Sequence, residues 1–387
     1  MRSRLFARQV RAKLRRYPAV AILGPRQCGK TTLARRFAGR YFDMESEGSE
    51  AHLDAEWDAL AAGRTLVVID EVQTAPKVLS RLRGTIDADR KRNGRFLLLG
   101  SVSPALMEHV SESLAGRLGF VRMTPFILPE LPAGQVDHLW LRGGYPDGGI
   151  LRPARFPEWQ RDYLDALVTR DLPAWGLPGR PQQTLRLLSM LAALQGQPLN
   201  ASQLGASLSM DHKTILSRCD HLEGAFLIRR LPLYSANVKK RLVKTPRVFW
   251  RDSGLLHALL NVADIEHLYR QPWLGHSWKG FVIEQTLATI DAIGGRAQPF
   301  FFRTSDGYEL DLVLDWGTAR WAVEIKLTSN PSSQMIARLN QTGDMVGASR
   351  RILVCRIARK IENEHVLVIN LSGWLKRLMR SRPSLMS

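Results

Sequence analysis

GPRQCGKTT, residues 24–32, decides the fold of this chain, because it matches the phosphate-binding pattern G-x-x-x-x-G-K-[ST] at every fixed position. An apolar run, residues 19–23, precedes it and a helical pattern follows it, which is the strand–loop–helix setting that the pattern requires. The glycines let the backbone curl so that its N–H groups point at phosphate oxygens near the positive end of the helix. The predicted nucleotide-binding residues are Gly24, Pro25, Arg26, Gln27, Cys28, Gly29, Lys30, Thr31 and Thr32.

Four polar side chains of this region are predicted to carry the chemistry of ATP and Mg²⁺. Lys30 is expected to reach the β- and γ-phosphates, and the Thr31 hydroxyl is expected to bind Mg²⁺. Asp70 ends the apolar run 65–70 and Glu71 follows it; Asp70 would hold Mg²⁺ through water, and Glu71 would polarise the attacking water. In a parallel sheet these groups converge at the carboxyl edge.

Three further residues carry predictions that leave alternatives open. Thr32 is either a phosphate contact or a simple helix cap. Ser101 follows the apolar run 95–100 and is placed to sense the γ-phosphate. Arg117 is either a finger that neutralises charge in the transition state, toward a neighbouring subunit of a homo-oligomer, or an ordinary surface arginine.

Five short apolar runs in the first third of the chain predict the fold class. Runs that are apolar on every residue suit strands buried on both faces of a parallel sheet covered by helices. They alternate with helical stretches such as 30–38 and 103–116, so an α/β fold built from repeated β–α–β units is expected. The runs are residues 19–23, 41–44, 65–70, 95–100 and 118–123.

Composition bounds the class of protein and its partners. A chain of 387 residues should hold two or three domains. Its net charge of +19 favours a polyanionic partner, nucleic acid or an anionic membrane surface, with an arginine-rich composition as the alternative explanation. Cys28, Cys219 and Cys355 are far apart, which suits a reducing cytoplasm and disfavours disulfides or a zinc knuckle. No run approaches the length of a membrane span.

The stretch 199–234 reads as helix, turn, helix and hairpin, which is the pattern of a winged helix. Asp211 is the expected N-cap of the second helix. The apolar positions predicted to share one face of that helix are Ile215, Leu216, Cys219, Leu222 and Phe226. The positions predicted to point away, toward a DNA groove, are Lys213, Thr214, Ser217 and Arg218. The basic run 237–247 follows, and protein binding or packing stays open beside DNA contact.

Residues 300–329 read as three strands joined by tight turns, and they carry a second set of acids. Glu324 and Lys326 share one strand face, because side-chain direction repeats every two residues. If the strands form a meander, Asp311 meets that face, so that two carboxylates can hold Mg²⁺ while the lysine orients a water toward a phosphodiester. The alternative is the routine alternation of charge on an exposed strand.

The segments GPRQCGKTTL, VVIDEVQ, FLLLGS, ESLAGR, TPFILPEL and GGYP occur in the order seen in a prokaryotic family of AAA-type P-loop ATPases with a C-terminal domain of unknown function. The chain resembles this family over nearly its whole length. Its C-terminal part resembles the D…E-x-K core of restriction-endonuclease-like nucleases, and Glu284 matches the helix acid that completes that core. The resemblance implies a parallel-sheet ATPase domain, a helical and winged-helix segment, and an α/β nuclease-like domain. The limits that we expect are 1–130 for the ATPase, 131–180 for a helical lid, 181–247 for the winged helix, 248–370 for the nuclease-like domain and 371–387 for a basic tail.

Together these predictions describe an ATP-binding, Mg²⁺-dependent ATPase with a DNA-directed, nuclease-like C-terminal domain. The alternative is a nucleotide-switched regulator that binds DNA or protein and carries a catalytically inactive nuclease fold. DNA is the expected partner, and a protein partner and a homo-oligomer stay open. A cytoplasmic location without membrane insertion is expected.

Overall fold

The computed structural model describes residues 3–37, 39–101, 114–177, 180–235 and 245–380. Helix α1 (Phe6–Leu14) is the first element of the fold. It buries Phe6, Ala7 and Val10 against one face of the first sheet, where they join the cluster that contains Ile22 and Leu99.

The first sheet confirms the parallel α/β fold. Its strands are β1 (Ala19–Gly24), β2 (Gly39–Asp43), β3 (Leu66–Asp70), β4 (Phe96–Ser101) and β5 (Leu118–Arg122). They pair in the order β2-β3-β4-β1-β5, and every pair is parallel. All six residues of the central strand β1 are buried, and each large apolar side chain buried in this way contributes about 1.5–3 kcal/mol.

Helices cover both faces of this sheet. They are α2 (Lys30–Ala34), α3 (Ser49–Ala62) and α4 (Pro76–Ala88), with a short 3₁₀ turn at Val72–Thr74. Leu53 and Trp57 of α3 and Leu82 of α4 pack on one face, whereas α1 and α2 pack on the other. The helix predicted over 30–38 is shorter than expected, and most of the helix predicted over 103–116 falls outside the described residues.

The middle of the chain is helical. Its elements are α5 (Val136–Arg142), α6 (Glu158–Ala166), α7 (Pro181–Ala193), α8 (Ala201–Leu208), α9 (His212–Gly224), β6 (Ile228–Leu231) and β7 (Arg247–Trp250). A wide helical turn, Leu167–Asp171, and a short helix, Leu172–Ala174, continue α6, and 3₁₀ turns lie at Leu128–Glu130 and Pro153–Arg155. Strands β6 and β7 pair antiparallel, so three helices are followed by a two-stranded sheet.

Helix α9 confirms some predictions of the sequence and corrects others. Asp211 caps it, because its carboxylate accepts a hydrogen bond of 2.9 Å from the Thr214 amide. Ile215, Cys219 and Leu222 are fully buried, as expected. Leu216, however, is exposed, and the side chain of Arg218 is buried instead. A helix turns by about 100° per residue, so the face that contains positions 215, 219 and 222 also contains 218 and excludes 216.

The last part of the chain forms a six-stranded mixed sheet with helices. Its elements are α10 (Ser253–Leu259), α11 (Ile265–Tyr269), α12 (Leu274–Ala292), β8 (Gln298–Arg303), β9 (Glu309–Asp315), β10 (Arg320–Ile325), α13 (Ser333–Met345), β11 (Arg350–Val354), β12 (Ile361–Glu362), β13 (Val366–Ile369) and α14 (Leu371–Arg380). The strand order is β12-β13-β11-β10-β9-β8. The antiparallel meander β8–β9–β10 confirms the three predicted strands, and β10, β11 and β13 run parallel.

Helix α12 lies between the two sheets. Val282, Ile283 and Leu287 belong to the core of the second sheet, whereas Ala288 and Ala292 belong to the cluster beneath the first. Of the residues expected as a basic tail, 371–380 form α14 and bury four apolar side chains, and 381–387 lie outside the described residues. The predicted domain limits stay predictions. No helix among the described residues is both long and apolar enough to cross a membrane.

Candidate functional site

The loop between β1 and α2 has the backbone geometry that its glycines predict. A Cβ on Gly24 would lie 2.2 Å from the carbonyl oxygen of Met123, so no side chain fits there. Gly29 has a φ of +94° and Gln27 a φ of 59°, both in the left-handed region. Arg4, which is not part of the loop, stabilises it by donating a hydrogen bond of 2.9 Å to the Cys28 carbonyl oxygen.

Lys30 lies inside the curve of this loop. Its side chain is buried, and Nζ donates hydrogen bonds of 3.0 Å to the carbonyl oxygens of Gly24 and Pro25. A buried ammonium requires such acceptors, and phosphate oxygens would serve it better because they carry charge. Thr32, in contrast, is exposed.

Thr31 and Asp70 meet at the carboxyl edge of the first sheet, as predicted. The Thr31 hydroxyl donates a hydrogen bond of 2.7 Å to Asp70 Oδ2, and the Tyr41 hydroxyl donates one of 2.6 Å to the same oxygen. The other oxygen, Oδ1, accepts from the Glu71 amide at 2.9 Å. Burial, and then the hydrogen bond to Asp70, raise the pKa of Tyr41 above its ordinary value, so this hydroxyl stays protonated and continues to donate.

Glu71 has a strained backbone beside this pair. Its φ of 49° and ψ of 45° place it in the left-handed region, which costs a residue other than glycine on the order of 1–3 kcal/mol. The Gln73 side chain donates a hydrogen bond to the Glu71 carboxylate. This hydrogen bond orients the Glu71 carboxylate.

Ser101 and Arg117 have different outcomes. The Ser101 backbone pairs in register with Gly24, at the edge where the loop begins, and its side chain lies outside the description. Arg117 precedes β5, and its carbonyl oxygen accepts from the amide of Ala19 at the start of β1. At about 3.3 Å per residue, β1 separates the two edges by roughly 20 Å. The guanidinium of Arg117 is bound by Asp87 at 2.7 and 2.9 Å and lies at the edge opposite the chain's own loop, so its role as a finger toward a neighbouring subunit stays a prediction.

The structure brings Asp311, Glu324 and Lys326 together in the second sheet. Strands β9 and β10 pair in a register that sets Leu312 opposite Val323, and the Ile325 amide donates to Asp311 Oδ2 at 2.9 Å. Lys326 Nζ lies 2.7 Å from Glu324 Oε1, whereas Glu324 Oε2 is buried with no hydrogen-bond partner among the described residues. Burial, and then the charge of Asp311, raise the pKa of Glu324.

Glu284 does not join this cluster, which corrects its prediction as a metal ligand. Its carboxylate is bound by Arg229, with one contact at 3.1 Å, and by Arg251 at 3.2 Å. Burial alone would raise the pKa of Glu284, but the two arginines hold it below its ordinary value. The residue of α12 that reaches the cluster is Lys279, whose Nζ lies 2.7 Å from Asp311 Oδ1.

The two acid sites differ in their fit to a metal ion. Among the described residues, no group of three or more His, Cys, Asp and Glu side chains is arranged to hold a metal. The first site has one carboxylate and a hydroxyl, which is sufficient when substrate phosphates supply further oxygens. The second has two carboxylates, and an ammonium group occupies one oxygen of Asp311.

Three family models match successive parts of this chain. A family model described as an AAA domain matches residues 16–131, and two domains of unknown function, DUF8612 and DUF4143, match residues 133–266 and 274–374. The uncharacterized proteins Rv2008c of Mycobacterium tuberculosis and Mb2031c of Mycobacterium bovis are each 36% identical to this chain over 333 residues, covering 84% of it and 74% of the relative. The chain belongs to this family of AAA-type ATPases. The family resemblance expected from the sequence is thus confirmed.

Two solved structures that align with parts of this chain are also ATPases by name. The Walker-type ATPase PABY2304 of Pyrococcus abyssi aligns with a TM-score of 0.43 and 16% identity, over 66% of this chain and 94% of that protein. A Signal Transduction ATPase with Numerous Domains, PH0952 of Pyrococcus horikoshii, aligns with a TM-score of 0.22 and 13% identity, over 74% of this chain and 46% of that protein.

Three residues that contact the two sites were not predicted from the sequence. Tyr41 lies in a predicted strand, but nothing in the sequence shows that β2 is a neighbour of β3, which brings its hydroxyl to Asp70. Lys279 carries no motif. Asp171 binds the loop residue Arg26 from 145 positions away, and only the alternation of charged residues around 170 hints at polarity there.

Proposed function

We propose that this chain binds ATP together with Mg²⁺ at the loop 24–31 and hydrolyses it. The observation that supports this most directly is the 2.7 Å hydrogen bond between Thr31 and Asp70. A loop threonine and an acid at the end of another strand are the protein groups that hold Mg²⁺ in P-loop NTPases. Both lie at the carboxyl edge of the sheet, where ligands bind in open α/β folds.

The chemistry of Thr31 and Asp70 fits Mg²⁺, which prefers oxygen ligands and is usually held by one or two carboxylates together with substrate phosphates. Among the described residues, the side chains bonded to Asp70 are the hydroxyls of Thr31 and Tyr41. Its negative charge is therefore left for the ion. When bound, Mg²⁺ would neutralise charge on the phosphate oxygens.

The remaining residues of the loop would bind and orient the substrate. Lys30 would exchange the carbonyl oxygens of Gly24 and Pro25 for phosphate oxygens, which form stronger hydrogen bonds because they are charged. Glu71, held by Gln73, would orient the attacking water. Ser101, at the end of β4, would contact the γ-phosphate.

The test is release of phosphate from ATP by the full chain, with Mg²⁺ titrated, alongside direct measurement of nucleotide binding. We expect saturable ATP binding that requires Mg²⁺ and is lost in Lys30→Ala. Wild-type protein that does not retain ATP with Mg²⁺, or a Lys30→Ala variant that retains it equally well, would overturn the proposal.

A second proposed activity is Mg²⁺-dependent cleavage of DNA by the C-terminal region. It is supported by the convergence of Asp311, Glu324 and Lys326, and by the buried Oε2 of Glu324 near Asp311, which has no hydrogen-bond partner in the part of the chain that the structure describes. Asp311 and Glu324 would hold the ion, and Lys326 would orient the attacking water. The net charge of +19 and the winged-helix arrangement of α8, α9, β6 and β7 support DNA as the partner.

The competing proposal is a nucleotide-switched regulator with an inactive nuclease fold, which binds DNA or protein in the cytoplasm. The ion pair between Lys279 and Asp311 favours it, since the ammonium lies where a metal would bind. Cleavage assays with Mg²⁺ separate the two: a nuclease predicts cutting that Asp311→Ala abolishes. A regulator predicts no cutting, with either DNA affinity that falls steeply with salt or capture of a protein partner. The ATPase rate measured on the same samples with and without DNA shows whether the regions are coupled.

A further inference from the structure

Arg26 is a residue of the phosphate loop whose side chain is bound by acids from two other segments. Nη1 lies 3.1 Å from Asp171 Oδ1, and Nη2 lies 3.0 Å from Glu45 Oε1. Glu45 follows β2, and Asp171 ends the turn Leu167–Asp171 that continues α6. The loop is thereby tied to the helical segment 158–171 of the middle region.

The single negative charge of Asp171 is contacted by two positively charged guanidinium groups. Its buried carboxylate also receives Nε of Arg170 at 2.8 Å, so two guanidinium groups share the single oxygen Oδ1. The Nε of Arg26 is itself buried with no hydrogen-bond partner among the described residues. Glu45 is half exposed, and its bond to Arg26 is correspondingly weak in water. Arg26 can therefore dissociate from Asp171 without leaving the buried carboxylate unpaired, because Arg170 still contacts that carboxylate.

There is room for Arg26 to move. A cavity of about 300 Å³ lies between the loop and the helical segment, lined by Arg26, Gln27, Trp159, Asp162, Tyr163 and Asp171, among others. The loop amides and Lys30 would hold a triphosphate within reach of a side chain two residues after Gly24. A guanidinium binds phosphate with the same fork geometry as carboxylate.

We propose that Arg26 is a γ-phosphate sensor that exchanges Asp171 for the terminal phosphate of ATP. With ADP, or with no nucleotide, Arg26 stays on Asp171 and the segment 158–171 stays attached to the loop. With ATP, the ion pair opens and the segment is released. This inference rests on the proposed binding of ATP by the loop, and it adds a means by which the middle region distinguishes ATP from ADP.

The test compares the affinities of the full chain for ADP and for a non-hydrolysable ATP analogue, both with Mg²⁺, by calorimetry. In Arg26→Gln we expect the affinity for the analogue to fall about tenfold while that for ADP stays within twofold, because a charge-assisted contact to one phosphate is lost. Arg26→Lys should lie between the two, since it keeps the charge without the fork. Asp171→Asn should raise the affinity for the analogue alone. Arg161→Gln, at an exposed arginine of helix α6, is the matched control.

Hydrogen exchange supplies a readout that does not depend on affinity. Peptides covering 158–174 should exchange faster with the ATP analogue than with ADP in the wild type, and equally with both nucleotides in Arg26→Gln. Wild-type protein that binds both nucleotides while Arg26→Gln leaves the affinity ratio and the exchange unchanged overturns the sensor alone. Wild-type protein that binds neither nucleotide overturns the proposed function and the sensor together. Circular dichroism of each variant separates either result from misfolding.

Discussion

The two acid sites of this chain contain aspartates that are equally buried but differently paired. Asp70 is 2% exposed and Asp311 is 3% exposed. The side chains that bind Asp70 are the hydroxyls of Thr31 and Tyr41, at 2.7 and 2.6 Å. Asp311 is bound at 2.7 Å by the ammonium of Lys279. A hydroxyl satisfies hydrogen bonds without cancelling the charge, whereas an ammonium group does both.

This difference indicates what each site requires before it can bind a cation. At Asp70 the negative charge is already available, and Mg²⁺ would need only to join the existing oxygens. At Asp311 a metal ion must displace Lys279, and the gain in binding must exceed the loss of a buried ion pair. The first site is thus arranged for cation binding as it stands, and the second is neutralised by the protein itself. Five predictions test this comparison.

The largest effect is expected at Glu284, the acid that the sequence assigned to the second site. Glu284→Gln leaves the partly buried guanidinium groups of Arg229 and Arg251 without their carboxylate, so the free energy of unfolding should fall by about 3 kcal/mol. Urea unfolding measures it, and Glu266→Gln, at an exposed ion pair, should change stability by less than about 0.5 kcal/mol. Unchanged stability together with weaker metal binding would restore Glu284 as a ligand.

The pH dependence of the same variant has a defined sign. The pKa of Glu284 lies below its ordinary value of 4.5 in the folded chain, so its contribution to stability is fully present above pH 4.5. It is lost as the pH falls through the lowered folded-state pKa. The difference in stability between wild type and Glu284→Gln should therefore shrink on acidification below pH 4.5, and a difference that grows there would contradict the assignment.

Lys30→Ala tests the first site. The substitution removes the ammonium that would contact the phosphates, and we expect ATP hydrolysis to fall by about a hundredfold or more. Phosphate release at saturating ATP measures it, with Lys77→Ala as a control because Lys77 is an exposed lysine of the same domain. Equal activity of Lys30→Ala and Lys77→Ala would remove the first site from the comparison.

The sequence predicts the first site better than the second for a physical reason. In the first, the motif 24–31 and Asp70 at the end of β3 are placed by parallel strands, whose carboxyl ends share one edge whatever the strand order. In the second, the residue of α12 that reaches the acids depends on how this helix is rotated about its own axis. Lys279 and Glu284 are five positions apart, which at about 100° per residue turns them roughly 140° from each other. A motif match cannot fix that angle, and packing between the two sheets decides it.

The position of Arg117, in contrast, follows from the direction of a strand. The segment SLAGR, which ends at Arg117, is readable as a motif, and the run that follows it is a strand as expected. Because β5 runs parallel to β1, however, the residue before it lies at the amino edge, opposite the loop. The position of Arg117 at the amino edge follows from a parallel sheet, whereas the pairing of Lys279 with Asp311 could not be predicted from the sequence.

Lys279→Met sharpens the comparison at the second site. Removing the ammonium leaves the Asp311 carboxylate uncompensated, so a divalent cation should bind about tenfold more tightly than to the wild type. Calorimetry with Mn²⁺ measures this in an Asp70→Ala background, which removes the signal of the first site. Lys360→Met, at an exposed lysine paired with Glu362, is the control. Unchanged Mn²⁺ binding in a folded Lys279→Met protein would show that this ion pair does not close the site.

Tyr41→Phe is expected to have the smallest effect, and it tests whether a hydroxyl partner differs from an ammonium partner. It removes one hydrogen bond to Asp70 and leaves that of Thr31, so the free energy of unfolding should fall by about 1 kcal/mol. The Mg²⁺ concentration that half-saturates ATP hydrolysis should move less than in Thr31→Ala, because Tyr41 orients the carboxylate whereas Thr31 would also bind the ion. Since the pKa of Tyr41 is raised above 10, the effect should be constant between pH 6 and 9, over which the hydroxyl stays protonated. A Tyr41→Phe variant that tightens Mg²⁺ binding as strongly as Lys279→Met would mean that the hydroxyl competes with the ion as an ammonium group does, and the distinction between the two sites would disappear.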